Sequence, residues 1–96
     1  MKLTRKALEE NISCDQVSIG KADESWNRKI TFRRSFFYTN GFTSDRFAAI
    51  MEDELREAFP DITVMAVTHG EVWKRFRGGA SISQSSHWWA TLQVHE

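Results

Sequence analysis

Residues Trp73-Lys74-Arg75-Phe76-Arg77-Gly78-Gly79 interleave three cations with two large aromatics and end in a Gly-Gly pair. His87-Trp88-Trp89 follows a few residues later. Cations and flat rings gathered on one exposed surface are what a phosphate backbone and unstacked bases require. The same residues also suit a strand with one face in a core. Alternation puts Val72, Lys74 and Phe76 on one side and Trp73, Arg75 and Arg77 on the other. The chemistry therefore narrows to a Trp-Arg-Arg edge, which Trp89 would extend.

Other reactive residue types are sparse. Cys14 is the single cysteine, so no intrachain disulfide forms, and a nucleophile–base arrangement would have to recruit His69 or His87 from a distance. No local signature surrounds any of them. Glu52, Asp53 and Glu54 are adjacent carboxylates, but neighbours on a helix point in different directions and do not converge on one ion. The three histidines, His69, His87 and His95, have no ligand spacing. Gly78-Gly79 lacks the lysine and hydroxyl of a phosphate loop. The expectation is no catalytic residue, no metal and no cofactor: a binding protein rather than an enzyme.

The totals fit one domain. The chain has 96 residues, 41% hydrophobic and 27% charged, which is globular rather than disordered composition. Its formal net charge is zero, so no global field draws in a polyanion and any such contact must be local. Charge is nonetheless segregated: residues 28–39 carry four cations and no acid, whereas residues 40–61 carry six acids and two cations. No apolar run is long enough to span a membrane, and the N-terminus lacks a secretory apolar core. A cytoplasmic location, with no membrane contact, is expected.

The elements that would position these residues read as follows. Thr4 caps a short helix over residues 4–11, with Leu3, Ala7 and Leu8 apolar. Residues 13–25 are polar and read as a loop. Residues 28–39 alternate, with Ile30, Phe32, Phe36 and Tyr38 on one face and Lys29, Thr31, Arg33 and Ser35 on the other. Arg34 and Phe37 break that alternation, and a bulge near Arg34 would account for the first. Asn40-Gly41 is a turn signal, and Thr43 caps the main helix, about residues 44–59, with Phe42 and Phe47 at staple spacing. Phe47, Met51, Leu55, Ala58 and Phe59 form its apolar stripe, and Pro60 stops it. Strands follow at 62–68, 72–77, around Ser81-Ile82 and at 87–94, with His69-Gly70-Glu71 as a turn. In the last strand Trp88, Ala90, Leu92 and Val94 point inward and Trp89, Thr91 and Gln93 outward.

The expected fold class is α+β: one main helix on an antiparallel sheet of three to five strands, with a short N-terminal helix. The chain reads as a single domain, residues 1–96. Residues 1–25 form an N-terminal segment of short helix and loop, and residues 26–96 a β-α-β-β(-β) core.

The candidate partner-binding residues are Trp73, Arg75, Arg77, Trp89, Arg33 and Phe37. Their bland reading is a solubilising sheet face with ordinary surface aromatics. A second candidate surface is the acidic side of the main helix, where Glu52, Asp53, Glu57 and Asp61 could imitate a phosphate track. Its bland reading is a solvated helix face.

Leu55, Phe59-Pro60, Ile62 and Val64, followed by Arg75-Phe76-Arg77-Gly78-Gly79-Ala80-Ser81-Ile82 and Trp88, resemble a small module of large polyvalent proteins of phages and plasmids. The resemblance covers about residues 47–92, and Gln84-Ser85-Ser86-His87 departs from that module's shorter spacing. It implies origin in a mobile element and carries over no catalytic residue. The function expected from it is a small phage- or plasmid-type inhibitor of the anti-CRISPR or anti-restriction kind. Such a protein would dock on a host protein or ribonucleoprotein complex of nucleic-acid-directed defence. The alternative is direct binding of RNA or single-stranded DNA through the basic and aromatic sheet face. The oligomeric state stays open, a homodimer included.

Overall fold

The computed structural model describes residues 3–36, 43–78 and 81–96; for residues 36, 73–78 and 81–86 the backbone alone is described. The fold is α+β and, among the described residues, has two helices and four strands in the order α1 (Arg5–Asn11), β1 (Gln16–Ile19), β2 (Asn27–Phe36), α2 (Ser44–Ala58), β3 (Thr63–Gly78) and β4 (Ser81–His95). The strands make one antiparallel sheet in the order β1-β2-β4-β3. Both helices cover one face, and the other face is open.

The helices form where their caps and stripes demand. The Thr4 hydroxyl accepts from Ala7 N at 3.1 Å and starts α1. Thr43 is the N-cap of α2, but its hydroxyl donates to the Asp45 carboxylate instead of accepting from the helix backbone. That bond, the first cause, holds the Asp45 carboxyl below its ordinary range. At the far end Phe59 N donates to Leu55 O at 2.8 Å, and Pro60 cannot continue the ladder. The staple partner Phe42 lies outside the described residues.

One core fills the space between helices and sheet. Leu8 from α1, Phe47, Met51 and Leu55 from α2, Ile30 and Phe32 from β2, and Leu92 and Val94 from β4 are fully buried. Each such side chain contributes about 1.5–3 kcal/mol of burial. Phe47 stacks on Trp88, with ring centroids 6.1 Å apart and planes 26° from parallel. Trp88, Ala90, Leu92 and Val94 face this core, as the alternation of the last strand requires.

Three local readings change. Residues 13–25 are not all loop, because Gln16–Ile19 pairs with Ile30–Arg33 and Val17 enters the core. No bulge interrupts β2 at Arg34, whose register with Trp88 is regular. The irregularity lies in β3 between Val64 and Ala66, where Met65 is exposed. Finally, His69-Gly70-Glu71 is strand rather than turn, and β3 and β4 are continuous hairpin arms. Beyond the last β2 pair, Phe36 with Ser86, that hairpin runs on as two strands. The molecule is accordingly 52 Å long and 24 × 23 Å across.

Candidate nucleic-acid interface

The open face of the sheet is assembled from the alternate residues of each strand. Gln16 and Ser18 come from β1, Lys29, Thr31, Arg33 and Ser35 from β2, His87, Trp89, Thr91 and Gln93 from β4, and Ala66, Thr68, Gly70 and Val72 from β3. The hydroxyls of Thr31 and Thr91 meet on this face at 2.9 Å. None of these positions is a carboxylate.

Arg33 and Trp89 are direct cross-strand partners at its centre, and Trp89 in turn pairs with Gly70. The indole lies across Gly70: a Cβ there would come within 2.7 Å of Nε1 and 2.8 Å of Cε2. A glycine in the strand interior thus makes room for the ring, and the row Arg33–Trp89–Gly70 becomes a low platform flanked by a cation. Trp89 is half-buried on it, and Arg33 is exposed. Lys29 is exposed as well, and neither cation has an ion-pair partner among the described residues.

Shallow grooves follow β2 across this face. One of about 380 Å³ is lined by Asp15, Gln16, Arg33, Ser35 and His87. The Asp15 carboxylate at its rim is engaged by Ser35 N at 2.7 Å. A second, of about 260 Å³, turns round the β1 edge: it shares Gln16 and Arg33 and adds Ser18 and Thr31 from the open face and Arg5 and Val17 from the helix side. Arg5 is already paired with Glu9 at 3.1 Å.

Of the sequence-derived candidates, Arg33 and Trp89 are therefore brought together. Trp73, Arg75 and Arg77 are on β3, in register with Ser86, Gln84 and Ile82, but their side chains are outside the description. Phe37 lies outside the described residues altogether. Of the acidic candidates, Glu52, Asp53 and Glu57 are on α2, on the side of the sheet away from the open face, whereas Asp61 lies in the turn after that helix. Asp53, Glu57 and Asp61 are exposed, whereas Glu52 is half-buried and pairs with Arg56 at 3.6 Å. Glu54 turns inward to accept from Ser13 N at 3.4 Å, so Glu52, Asp53 and Glu54 diverge.

The other reactive side chains are separately occupied. His69 Nδ1 lies 2.9 Å from the Ser44 hydroxyl at the start of α2. Cys14 is half-buried, and burial first, then the nearby carboxylate Asp15, pushes its thiol up to about 11. An activated nucleophile needs the opposite shift. Among the described residues no three of His, Cys, Asp and Glu stand together as a metal site, and no helix is long and apolar enough to cross a membrane.

Sequence reading missed Trp26. It is 63% exposed and is the one described non-glycine residue at positive φ, 62°. Its signal was faint: a lone Trp in a polar segment beside Asp23, a residue type that builds turns.

The chain matches no family model, no curated protein and no solved structure.

Proposed function

We propose that this chain is a small binding module whose working surface is the open face of the sheet, and that this face takes single-stranded nucleic acid. The observation that carries the reading is the pairing of Arg33 with Trp89 on a face whose strand positions carry no carboxylate, Asp15 and Asp23 standing at its rims. A ring lying low on a sheet stacks any base, and adjacent cations track the phosphates. The neutral net charge is compatible with this because Lys29 and Arg33 have no ion-pair partner among the described residues and the main acidic cluster lies on α2, behind the sheet. No covalent step is involved: the chemistry is stacking, ion release and hydrogen bonding from Gln16, Ser35, Thr91 and Gln93.

Fluorescence anisotropy with labelled RNA and DNA oligonucleotides tests it. Affinity should fall as salt rises, with a logarithmic slope of about −0.7 for each phosphate neutralised. Arg33→Ala should weaken binding and flatten that slope by about 0.7, and Trp89→Ala should weaken binding without changing the slope. Absence of binding to either nucleic acid at low salt would refute the reading.

A second reading keeps the docking inhibitor of a host defence complex. It draws on the likeness to modules of phage and plasmid proteins and on the exposed face of α2. There Ile50, 40% exposed, is accompanied by Asp53 and Glu57. An apolar anchor beside carboxylates suits a basic protein groove. Pull-down from a bacterial host, with Ile50→Asp and Asp53→Lys as controls, separates the two. Recovery of a nuclease or surveillance complex that depends on those residues, from a chain that ignores oligonucleotides, would reverse the order.

A further inference from the structure

We propose that the single-strand track on the open face continues along β2 to a second stacking site at Trp26; this rests on the nucleic-acid reading above and extends it to residues that reading does not use. Trp26 ends the β1–β2 connection. Its φ of 62° belongs to glycine or asparagine, and a bulky ring is an outlier there. The loop enforces it. Asp23 N donates to Asn27 O at 2.9 Å and Trp26 N to Asp23 O at 3.1 Å. The Asp23 carboxylate accepts from Ser25 N at 2.8 Å and from Asn27 N at 2.9 Å. Glu96 N reaches Trp26 O at 3.4 Å. With 63% of its surface exposed, the ring contributes little to the core. Strain held by an over-determined loop, presenting a large exposed aromatic, points to a contact residue.

Its neighbourhood matches the ligand. A groove of about 240 Å³ at this end of β2 is lined by Lys21, Asp23, Asn27, Arg28, Lys29 and Gln93, so it reaches the residue next to Trp26; Arg28 is paired with Glu96 at 3.7 Å. Lys21 and Lys29 have no ion-pair partner among the described residues. The Asp23 carboxylate is turned to backbone N–H groups, which hold it below its ordinary range, Asn27 N foremost. From Asn27 the outward row of β2 continues through Lys29 and Thr31 to Arg33, beside Trp89. The six steps from Asn27 to Arg33 cover about 20 Å at ~3.3 Å each. Trp89 beside Arg33 and the exposed Trp26 just before Asn27 bracket this row, and its length fits an extended strand, with stacking at each end and phosphates between.

The test uses the whole chain with oligo-dT and oligo-U of graded length, from about 4 to about 16 nucleotides, the range such sites span. Trp89→Ala should weaken every length. Trp26→Ala should weaken the long oligonucleotides about 5- to 150-fold, the equivalent of one lost stack, and leave the shortest unchanged. Trp26→Phe should restore most of the affinity. Trp26→Gly, which relieves the backbone strain, should bind as poorly as Trp26→Ala while melting no lower than wild type, so that loss of binding is not loss of fold. The dT and U arms distinguish a DNA strand from an RNA strand. If Trp26→Ala binds long oligonucleotides as wild type does while Trp89→Ala does not, the track ends at Trp89 and the extension is wrong. The extension is equally wrong if Trp26→Ala removes only a protein partner. If wild type binds no oligonucleotide, the underlying reading fails first.

Discussion

Substituting Gly70 by alanine tests the central platform directly. In a strand interior, glycine to alanine is ordinarily favourable by about 0.5–1 kcal/mol, because the unfolded chain loses freedom. Gly70 has no positive φ to forbid the change. What opposes it is Trp89, three of whose ring atoms lie 2.7–2.8 Å from the new Cβ. Contact between carbons is optimal at about 3.5–4.0 Å, so the indole must retreat by roughly 1 Å or tip away. Overpacking of that kind costs about 1–3 kcal/mol. The net effect expected for Gly70→Ala is a loss of up to about 2.5 kcal/mol, and of about 1 kcal/mol at mid-range, after subtracting the backbone gain. In a domain of this size the mid-range loss lowers the melting temperature by roughly 4–8 °C. In a Trp89→Ala background the obstruction is gone, and the same substitution should stabilise by up to about 1 kcal/mol. Urea unfolding of the four proteins of the cycle measures the coupling, because the effect of Gly70→Ala reverses sign between the two backgrounds. Equal stability changes in both backgrounds would show that the ring does not lie over Gly70, and the platform argument would fall with it.

Two further outcomes follow from the titrating groups. Because backbone N–H donors depress the Asp23 carboxyl, its contribution to stability is present above the ordinary carboxylate pKa and is lost as pH falls through the lower folded value; Asp23→Asn should therefore shrink the difference in urea midpoint between neutral and strongly acidic buffer. With its thiol pushed from 9.0 to about 11, Cys14 should hold about 100-fold less thiolate at pH 8 when folded than when unfolded. Labelling by a disulfide reagent should accelerate correspondingly in urea, and equal rates in both states would contradict its burial.

Legibility tracked the range of the interactions. The α2 stripe of Phe47, Met51 and Leu55 and the Thr4 cap of α1 are statements about residues three or four apart, and both stand as read. The alternation of β2 and of the end of β4 likewise sorted Ile30 and Phe32 from Arg33, and Trp88 from Trp89. Strand β1 was not legible because two apolar residues, Val17 and Ile19, are too few to show a period; it is a strand because β2 offers it an edge. His69-Gly70-Glu71 read as a turn because glycine punctuates locally, whereas its role here is to receive a ring from the neighbouring strand.

The candidate site divides along the same line. Its residue types, the cations and the tryptophans, were visible in the sequence, and so was the outward direction of Arg33 and Trp89 within their own strands. Their juxtaposition was not, because they lie far apart in the chain and meet only through the β2–β4 register. The same holds for Trp26, whose exposure and backbone conformation are imposed by hydrogen bonds from Asp23 and Asn27. By itself the sequence determined which side chains a helix or strand would bury, since local periodicity sets that. Only the tertiary structure decided which exposed side chains share a surface, since strand order and register bring distant residues to one face.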